Sequence, residues 1–391
     1  MAEVRPVICA GCGLLCDDVV VVREPEAVHV EPPCHVGAEW FSARMLRSAD
    51  TPAATINGRP ADLDAAVTRA AGLLREARRP LIRGFDHATV EDARAACALA
   101  DRLGAVITID GVDGQWPGAP AVPLRGASTA TLGEIRDRSR VLVVWREDPE
   151  RTHPRLLERL GFGDDARRTL VVVDDRDTAT TARAQMRLRW APGRDLEGLV
   201  ALHALQRGLP VDAEELETQL RGLLDRVRSV PHVAFAHGAG LAAGAGGQRR
   251  VLALHELVRA LSRERHVVTL GLPRATGHRG ADDVLAWQSG YSGGVDFAGG
   301  HPELVTATRP LDDVDVTLLV EGGSAGAADV VVGCLPPGSD VEVWIRTGAA
   351  GVEASGTAHR LDGVPLTLQA LQGDDAPTAA ALLTRLLAEV V

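Results

Sequence analysis

The chain has 391 residues, more than one small core can organise, so we expect two or three α/β lobes. Hydrophobic residues make up 46% of the sequence but aromatic residues only 3%, so aliphatic side chains must form most of the core. The formal net charge of -11 repels nucleic-acid phosphates, which argues against nucleic-acid binding and favours proteins or small molecules as partners.

The start of the sequence lacks the basic residues, apolar run and small-residue cleavage site of a signal peptide. The longest apolar runs, such as residues 19–22 and 170–173, are too short to cross a bilayer. We therefore expect a cytoplasmic protein with no membrane segment. In that compartment thiols stay reduced, so clustered cysteines indicate metal binding before disulfides.

Residues 1–50 are predicted to form a small cap that contains four of the six cysteines and a short strand near residues 19–22. A proline-containing stretch, residues 51–60, separates this cap from a first lobe, residues 51–229, in which strands and helices alternate. The strands of this lobe are predicted at 80–84, 105–109, 141–145 and 170–173, and its helices at 89–103 and 196–205. Gly104 is predicted to close the first of these helices.

A second α/β lobe is predicted from residue 230 to 391, after a helical connector at 211–229. Its strands are predicted at 232–236, 266–270, 316–320, 329–332 and 341–345, and its helices at 251–263 and 377–390. The glycine-rich stretch 274–304 has few periodic features and is predicted to be loop and short helix. The succession of crossovers predicts an α/β fold with doubly wound, mostly parallel sheets in two lobes, beside the cysteine-bearing cap.

The sharpest local signal is a group of four cysteines, Cys9, Cys12, Cys16 and Cys34. Three thiolates within eight residues can converge on an iron–sulfur cluster, with the fourth arriving from a neighbouring loop. Four thiolates also satisfy tetrahedral zinc, and thiols that bind no metal are the simplest alternative. The spacing of the first three cysteines favours a [4Fe-4S] cluster over zinc.

Two further loops are candidates for ligand binding. Asp174 follows a predicted strand, where a carboxylate can accept from the ribose or guanine N–H groups of a nucleotide. On the residues alone, capping of the next turn by Asp and Thr is the favoured interpretation. The glycine-rich loop at 238–247 lacks the lysine of a P-loop, so a flexible surface loop is the better interpretation.

The cysteine group, with the sequence Gly-Leu-Leu-Cys-Asp-Asp at 13–18, resembles the opening of formylmethanofuran dehydrogenase B subunits, a family of the molybdopterin oxidoreductase class. Similar stretches run from residue 9 to about residue 365 and lie at 135–160, 174–182, 192–195, 277–302 and 351–365. The resemblance implies a molybdopterin-oxidoreductase-like first lobe. It also implies that a pterin guanine dinucleotide contacts Asp174, Arg176, Thr178, Pro192, Gly193 and Asp195.

Redox-active members of this family carry a cysteine or selenocysteine that binds tungsten or molybdenum, followed by a histidine, just after the strand predicted at 105–109. Here residues 110–117 read Asp-Gly-Val-Asp-Gly-Gln-Trp-Pro and contain neither residue type. A hard carboxylate does not replace a soft thiolate without changing which metal binds. Asp113 is the one weak ligand candidate between Asp110 and Trp116, and a glycine-rich turn explains it more simply. We therefore expect no catalytic residue in this loop and no molybdopterin or tungstopterin.

The absence of the metal-binding cysteine and of the histidine at residues 110–117 makes the chain similar to the B subunit of the formyltransferase/hydrolase complex of methylotrophic bacteria. The resemblance implies a structural, non-redox subunit whose partners are an amidohydrolase-like A subunit, a C subunit and a formyltransferase subunit. That complex converts formylmethanofuran to formate in tetrahydromethanopterin-linked one-carbon metabolism. The cysteines are then expected to hold a structural metal group. We expect three basic residues to provide positive charge at the surface or at an interface: Arg274, His278 and Arg279. In active relatives, the corresponding positions lie near the substrate.

Two alternatives remain open on the sequence. One is a redox-active formylmethanofuran dehydrogenase B subunit with tungstopterin or molybdopterin. The other is a stand-alone protein that binds a metal or a small molecule.

Overall fold

The structure is a computed structural model, and it describes most of the chain. The described residues are 3–47, 50–109, 121–162, 165–191, 193–212, 214–242, 244, 246–273, 275–305, 311, 313–322, 328–338, 340–373 and 376–390. Within these ranges, no helix combines the length and the apolar character that a membrane crossing requires.

The described residues form nineteen strands and fourteen helices. The strands are β1 Glu3–Val7, β2 Val19–Arg23, β3 Val28–Glu31, β4 Ala54–Ile56, β5 Arg59–Pro60, β6 Pro80–Gly84, β7 Val106–Ile109, β8 Val141–Trp145, β9 Thr169–Val173, β10 Met186–Leu188, β11 His232–His237, β12 His266–Gly271, β13 Gly294–Asp296, β14 Glu303–Leu304, β15 Val316–Val320, β16 Val330–Gly333, β17 Val343–Arg346, β18 Gly356–His359 and β19 Pro365–Leu368. The helices are α1 His35–Met45, α2 Leu63–Glu76, α3 Val90–Leu103, α4 Ala121–Arg125, α5 Leu132–Arg138, α6 Pro149–Thr152, α7 Leu156–Leu160, α8 Ala179–Ala182, α9 Asp195–Gln206, α10 Glu214–Arg228, α11 Ala239–Ala242, α12 Gly247–Leu261, α13 Thr276–Ser289 and α14 Ala379–Glu389.

The chain folds into two compact units. Unit 1 comprises Met1–Gly114 and Ala275–Val391, and unit 2 comprises Gln115–Arg274. Unit 2 is therefore an insertion in the sequence of unit 1. Each unit has its own main sheet, in which the central strands are parallel, and its own apolar core.

Unit 1 is built on a nine-stranded sheet with the order β14-β13-β7-β6-β15-β16-β17-β4-β5. The five central strands, β7, β6, β15, β16 and β17, are parallel to one another. The strands at both edges of the sheet pair in antiparallel fashion. All residues of β6 and β7 are buried, as expected of parallel strands that are covered on both faces. Helices α2, α3, α13 and α14 contribute the apolar side chains that pack against this sheet.

The N-terminal segment of unit 1 forms a separate antiparallel sheet, β1-β2-β3, followed by α1.

Helix α3 shows how the sequence fixes the ends of an element. The side chain of Thr89 accepts from the backbone N–H of Asp92, and the carboxylate of Asp92 accepts from the N–H of Thr89, which is a capping box. Gly104 ends the helix with a φ of 64°, which confirms the predicted glycine stop.

Unit 2 contains a five-stranded sheet, entirely parallel, with the order β10-β9-β8-β11-β12. The chain moves outward from β8 to β9 and β10, and then returns to the other side of β8 with β11 and β12. This is the doubly wound arrangement predicted from the alternating elements. Its core is mainly aliphatic and includes side chains from α9, α10 and α12.

The unit limits differ from the predicted division at residues 229 and 230. Strand β11 pairs with β8 over Val233 to His237, so both belong to one sheet although they lie on opposite sides of the predicted boundary. The stretch predicted as a separator at 51–60 contains β4 and β5, which extend the nine-stranded sheet: β4 pairs with β17, and β5 pairs with β4. Both differences come from strand pairings between residues far apart in sequence, which local patterns do not reveal.

The predicted loop and short helix at 274–304 is also wrong in part, because α13 is a 14-residue helix within it. Two glycines near its start conceal the helical pattern. A Cβ on Gly277 would lie 2.1 Å from the carbonyl oxygen of Phe85, and one on Gly280 would lie 3.3 Å from a methyl group of Val90. These glycines let α13 lie very close to neighbouring chain segments.

We predict that Gly277→Ala destabilises the protein by about 3 kcal/mol, because the added methyl meets backbone atoms that move only at high cost. The midpoint of urea unfolding of the full chain measures this effect. Gly72→Ala is the matched control, since Gly72 lies inside α2 and, beyond the helix's own backbone, no atom of the described residues lies within 4 Å of the position that its added methyl would take. The control should stabilise α2 by about 1 kcal/mol. Equal midpoints for both variants would contradict the close approach.

Candidate functional site

The four N-terminal cysteines lie in one small region of unit 1. The backbone N–H of Cys9 donates to the carbonyl of Cys16 at 2.9 Å, which closes the loop that contains Cys12. Cys34 is the N-cap residue of α1, and Gly37 in the first turn of this helix packs against the loop. A Cβ on Gly37 would lie 3.1 Å from Cys9 Sγ, so glycine permits this contact. The structure thus brings together the predicted ligand set.

The loop is fixed by unit 1 itself. Thr276 Oγ1, at the start of α13, donates to the carbonyl of Ala10 at 2.6 Å. The N–H of Leu361 donates to the carbonyl of Gly13 at 2.8 Å. These bonds attach the cysteine loop to elements from the C-terminal half of the unit, so its geometry depends on the folded unit as a whole.

The chemistry of the cysteine group fits a thiophilic metal group. Cys9, Cys12 and Cys16 are buried and Cys34 is half-buried. Burial raises the pKa of the Cys12 thiol far above its usual value, and negative charge on the other three cysteines adds to this rise. Four such thiols ionise together only when a cation compensates them, which is the situation that zinc or an iron–sulfur cluster creates.

The spacing of the sulfur atoms bears on the choice between zinc and a cluster. No three of these four sulfur atoms, all of which lie in the described part of the chain, come within 4.8 Å of one another. Tetrahedral zinc, with Zn–S bonds of about 2.3 Å, brings its sulfur ligands to within about 4 Å of each other. The sulfur atoms are thus spaced more widely than in a formed tetrahedral zinc site.

The nucleotide-binding candidates lie in unit 2 at the carboxyl edge of its sheet. Asp195 is the first residue of α9, and one of its oxygens, Oδ1, accepts three hydrogen bonds. The indole of Trp145 donates at 2.9 Å, Arg146 Nε at 2.9 Å and the indole of Trp190 at 3.3 Å. Asp195 therefore anchors α9 to the end of β8 inside the protein.

Asp174 directly follows β9 and is almost fully buried. Its two oxygens accept from the guanidinium of Arg176, at 3.0 Å from Nε and 2.7 Å from Nη2. Burial opposes ionisation, but these bonds and the Arg146 guanidinium hold the pKa of Asp174 below its usual value. Thr178 caps α8 by accepting from the N–H of Thr181, which is the capping role favoured by the sequence.

Gly193 is the remaining described residue among the predicted nucleotide-binding candidates. Gly193 has a φ of 93°, and nothing lies within 4 Å of the position that a Cβ would take. Pro192 lies outside the described residues, as do Arg274 and the loop from Asp110 to Trp116 with Asp113.

The two parallel sheets each have a point where the chain reverses its direction of winding. In α/β proteins the crevice at the carboxyl ends of the strands on either side of this point is the preferred ligand site. In unit 2 the point lies between β8 and β11. There the carboxylate of Glu147 covers Gly238, and a Cβ on that glycine would collide with it. The glycine-rich loop after β11 thus begins against an acidic side chain.

In unit 1 the corresponding point lies between β6 and β15 and opens into a cavity of about 220 Å³. His87, just beyond β6, and Glu321, directly after β15, line the cavity together with Asp92 of α3. The N-terminus of α14 completes one wall, where the N–H of Ala380 donates to Asp92 Oδ1 at 2.7 Å. None of these residues was singled out from the sequence.

The cavity contains ionisable groups with strongly altered protonation. Burial, together with the nearby Asp92, raises the pKa of Glu321 to about 7, although hydrogen bonds from Thr347 and from the N–H of Cys334 oppose the rise. Glu321 also has a φ of 45°, an uncommon conformation for a non-glycine residue. Burial and then the Arg44 charge lower the pKa of His87, so its imidazole is neutral. The cavity can therefore offer both a carboxyl group and a neutral imidazole to a small polar molecule.

The expectation for the basic group near the start of α13 needs correction. His278 is buried and lies 2.8 Å from the carboxylate of Asp86, so it is an internal pair and no surface charge. Arg279 pairs with Asp283 of the same helix at 3.0 Å. The position of both side chains on an amphipathic helix, which the sequence did not predict, explains this difference.

Comparison with known proteins relates this architecture to a family. No protein-family model matches the chain. The chain is 28% identical, over 94% of its length and 93% of the relative, to the B subunit of tungsten-containing formylmethanofuran dehydrogenase 2 of Methanocaldococcus jannaschii. It is 27% identical to the protein of the same name from Methanococcus maripaludis, over 94% of each chain. The chain is a homologue of formylmethanofuran dehydrogenase B subunits.

Solved structures show the same fold. A chain from the formyltransferase/hydrolase complex of Methylorubrum extorquens, crystallised with methylofuran, matches with a TM-score of 0.68 and 24% identity. This match covers 86% of the present chain and 98% of that chain. Acetylene hydratase from Pelobacter acetylenicus matches with a TM-score of 0.56 and 12% identity, over 98% of the present chain and 69% of that chain. The predicted α/β fold class is confirmed.

The raised pKa of Glu321 predicts a specific dependence of stability on pH. The folded protein holds this proton more tightly than the unfolded chain, so stability is greatest below the ordinary carboxyl pKa and falls as pH rises toward about 7. Glu321→Gln should remove this loss and raise the free energy of unfolding by about 3 kcal/mol at pH ~8, with little change at pH ~4. Urea unfolding of the full chain at the two pH values measures this.

Glu91 is the matched control because it lines the same cavity. Partial burial opposes its ionisation, but hydrogen bonds from the N–H and hydroxyl of Thr357 hold the pKa of Glu91 below its usual value. Glu91→Gln should therefore destabilise the protein at pH ~8. If Glu321→Gln destabilised the protein in the same way at pH ~8, the pKa of Glu321 would not be raised in the folded protein.

Proposed function

We propose that the chain is the B subunit of a formyltransferase/hydrolase-type complex of one-carbon metabolism, and that its own role is structural and non-redox. The complex would convert formylmethanofuran to formate, linked to tetrahydromethanopterin as carrier. The homology over 94% of the chain to formylmethanofuran dehydrogenase B subunits supports the pathway class. The fold match over 98% of a chain of the Methylorubrum extorquens complex supports the type of assembly.

One observation carries the non-redox part of this proposal. Residues 110–117 contain neither the thiolate nor the histidine that redox-active relatives place there. Redox-active members of the family bind tungsten or molybdenum through a soft thiolate or selenolate at this position, and Asp113 offers only a hard carboxylate. The loop lies outside the described residues, so this argument rests on the sequence.

The geometry of unit 2 supports the same conclusion. A carboxylate that recognises guanine needs its oxygens available for the N–H groups of the base. In Asp174 both oxygens accept from Arg176, and Asp195 Oδ1 accepts from two indoles and Arg146. These residues therefore fit a pterin dinucleotide poorly as they stand. We propose that this pocket is vestigial.

The four cysteines fit a metal group better. We propose that Cys9, Cys12, Cys16 and Cys34 hold a [4Fe-4S] cluster, with zinc as the alternative occupant. Such a group would join the loop at 9–16 to the start of α1 and so stabilise the N-terminal cap. Electron transfer is not needed for that role.

The proposed partners are an amidohydrolase-like A subunit, a C subunit and a formyltransferase subunit. The side chain of Trp287, on α13, is 64% exposed. Large exposed aromatic side chains are enriched at the centres of protein interfaces. This exposed indole supports a role in assembly.

A redox-active dehydrogenase subunit is the second candidate, because both curated relatives are named tungsten-containing enzymes. The metal content of the complex purified from its native host separates the two. We expect iron at several atoms per chain and no tungsten or molybdenum, measured by mass spectrometry with the subunit content quantified in the same sample. Tungsten or molybdenum at one atom per chain would refute the non-redox proposal, and a monomer without partner subunits would refute the assembly.

The cysteine assignment has its own test. Cys12→Ala should lower the iron or zinc content of the purified chain and lower its melting temperature, because a ligand of the metal group is lost. Cys97→Ala is the matched control. Cys97 is buried in α3, where burial raises the pKa of its thiol to about 11, and it packs in the apolar core of unit 1. Equal metal content in both variants would show that the N-terminal cysteines bind no metal.

A further inference from the structure

Unit 2 contains a second group of potential metal ligands, at the edge of its sheet opposite to the ligand crevice. His232 and His266 are the first residues of the parallel strands β11 and β12, and they are paired in register. Their rings stack with centroids 4.7 Å apart and an interplanar angle of 16°. Glu134 of α5 approaches both from the side.

The three side chains bring their ligand atoms close together. Glu134 Oε1 lies 3.7 Å from His232 Nε2 and 3.6 Å from His266 Nε2, and all three atoms lie within 4.8 Å of one another. Metal–nitrogen and metal–oxygen bonds of about 2.1 Å require ligand atoms about 3–3.5 Å apart. Binding therefore requires the ligand atoms to move closer together and the His266 ring to turn out of its stack with His232. The partly exposed His266 and Glu134 have room for this movement.

An independent observation indicates that this point is built to receive a ligand. His232 is only 2% exposed, and its Nε2 has no hydrogen-bond partner among the described residues. A buried polar atom of this kind costs free energy unless something binds it. The other ring nitrogen, Nδ1, lies 2.7 Å from the hydroxyl of Ser139, which is fully buried. Such a bond orients a metal-binding imidazole, and when Nδ1–H donates to the hydroxyl, the lone pair of Nε2 is available to a metal.

The present partner of Glu134 is a weak competitor. Arg138 Nη1 lies 3.0 Å from Glu134 Oε1, one turn further along α5, and the side chain of Arg138 is 60% exposed. An exposed ion pair between residues four apart on a helix contributes little to stability. A divalent cation that also gains two imidazole ligands can displace it.

We propose that Glu134, His232 and His266 bind a divalent transition-metal ion such as zinc, which joins α5 to the first residues of β11 and β12. Two imidazoles and one carboxylate are a ligand set that suits zinc and its neighbours in the first transition row. Solvent completes the coordination shell on the exposed side. The site is separate from the cysteine group and does not depend on the proposed function of the chain.

Cobalt(II) is the probe, because its visible absorption reports its ligands and distinguishes nitrogen and oxygen from thiolate. The as-purified full chain is titrated with Co²⁺, and binding is followed by equilibrium dialysis and by absorption. We expect one equivalent per chain without thiolate charge-transfer bands. His266→Ala and Glu134→Gln should each weaken this binding by at least about tenfold. Both side chains are partly exposed, so the variants should fold.

His301→Ala is the matched control. His301 Nε2 lies 3.1 Å from Glu303 Oε1, so this exposed pair in unit 1 has the same chemistry, but it does not belong to a group of three close ligand atoms in the described part of the chain. Its removal should leave Co²⁺ binding unchanged. The proposal is overturned if wild-type protein binds no such equivalent, if the bands are those of thiolate ligands, or if His266→Ala and His301→Ala bind Co²⁺ equally well.

Discussion

Parallel strands constrain where this protein can place its chemistry. Each parallel neighbour requires a crossover, so all strands of a sheet deliver their following residues to the same edge. In unit 1 this edge receives His87 and Glu321, and in unit 2 it receives Arg146 and Asp174. The cavity of unit 1 and the hydrogen-bonded network of unit 2 both follow from this arrangement. The candidate metal group of unit 2 lies at the other edge, where strands begin.

The elements that local sequence patterns predict best are the fully buried strands. Strands β6 and β8 have the predicted ends, because an apolar run covered on both faces has a pattern of its own. The helix α13 was missed because Gly277 and Gly280, which local patterns assign to loops, serve close packing here. The limits of the two units were missed because the pairing of β8 with β11 is a long-range contact.

The candidate sites also differ in how far local sequence patterns reveal them. The cysteine group could be recognised because three of its four members lie within eight residues, and this spacing is itself the signal. That the group binds a metal stays a prediction. His87 and Glu321 are separated by most of the chain, and nothing near either residue indicates the other. Asp174 and Arg176 were predicted as ligand-binding residues, yet the structure shows them bound to each other. The sequence identified both residues. It did not show whether they hydrogen-bond to a ligand or to each other.

The insertion of unit 2 within unit 1 affects the order in which the protein can be assembled on the ribosome. Strand β6 emerges early, but its neighbour β15 is translated only after all of unit 2. Unit 2 is contiguous and can fold while synthesis continues. The N-terminal part of unit 1 must meanwhile keep a sheet edge and apolar side chains exposed, which makes nascent chains prone to aggregation. The chain's topology therefore lengthens the time during which these surfaces of the nascent chain stay uncovered.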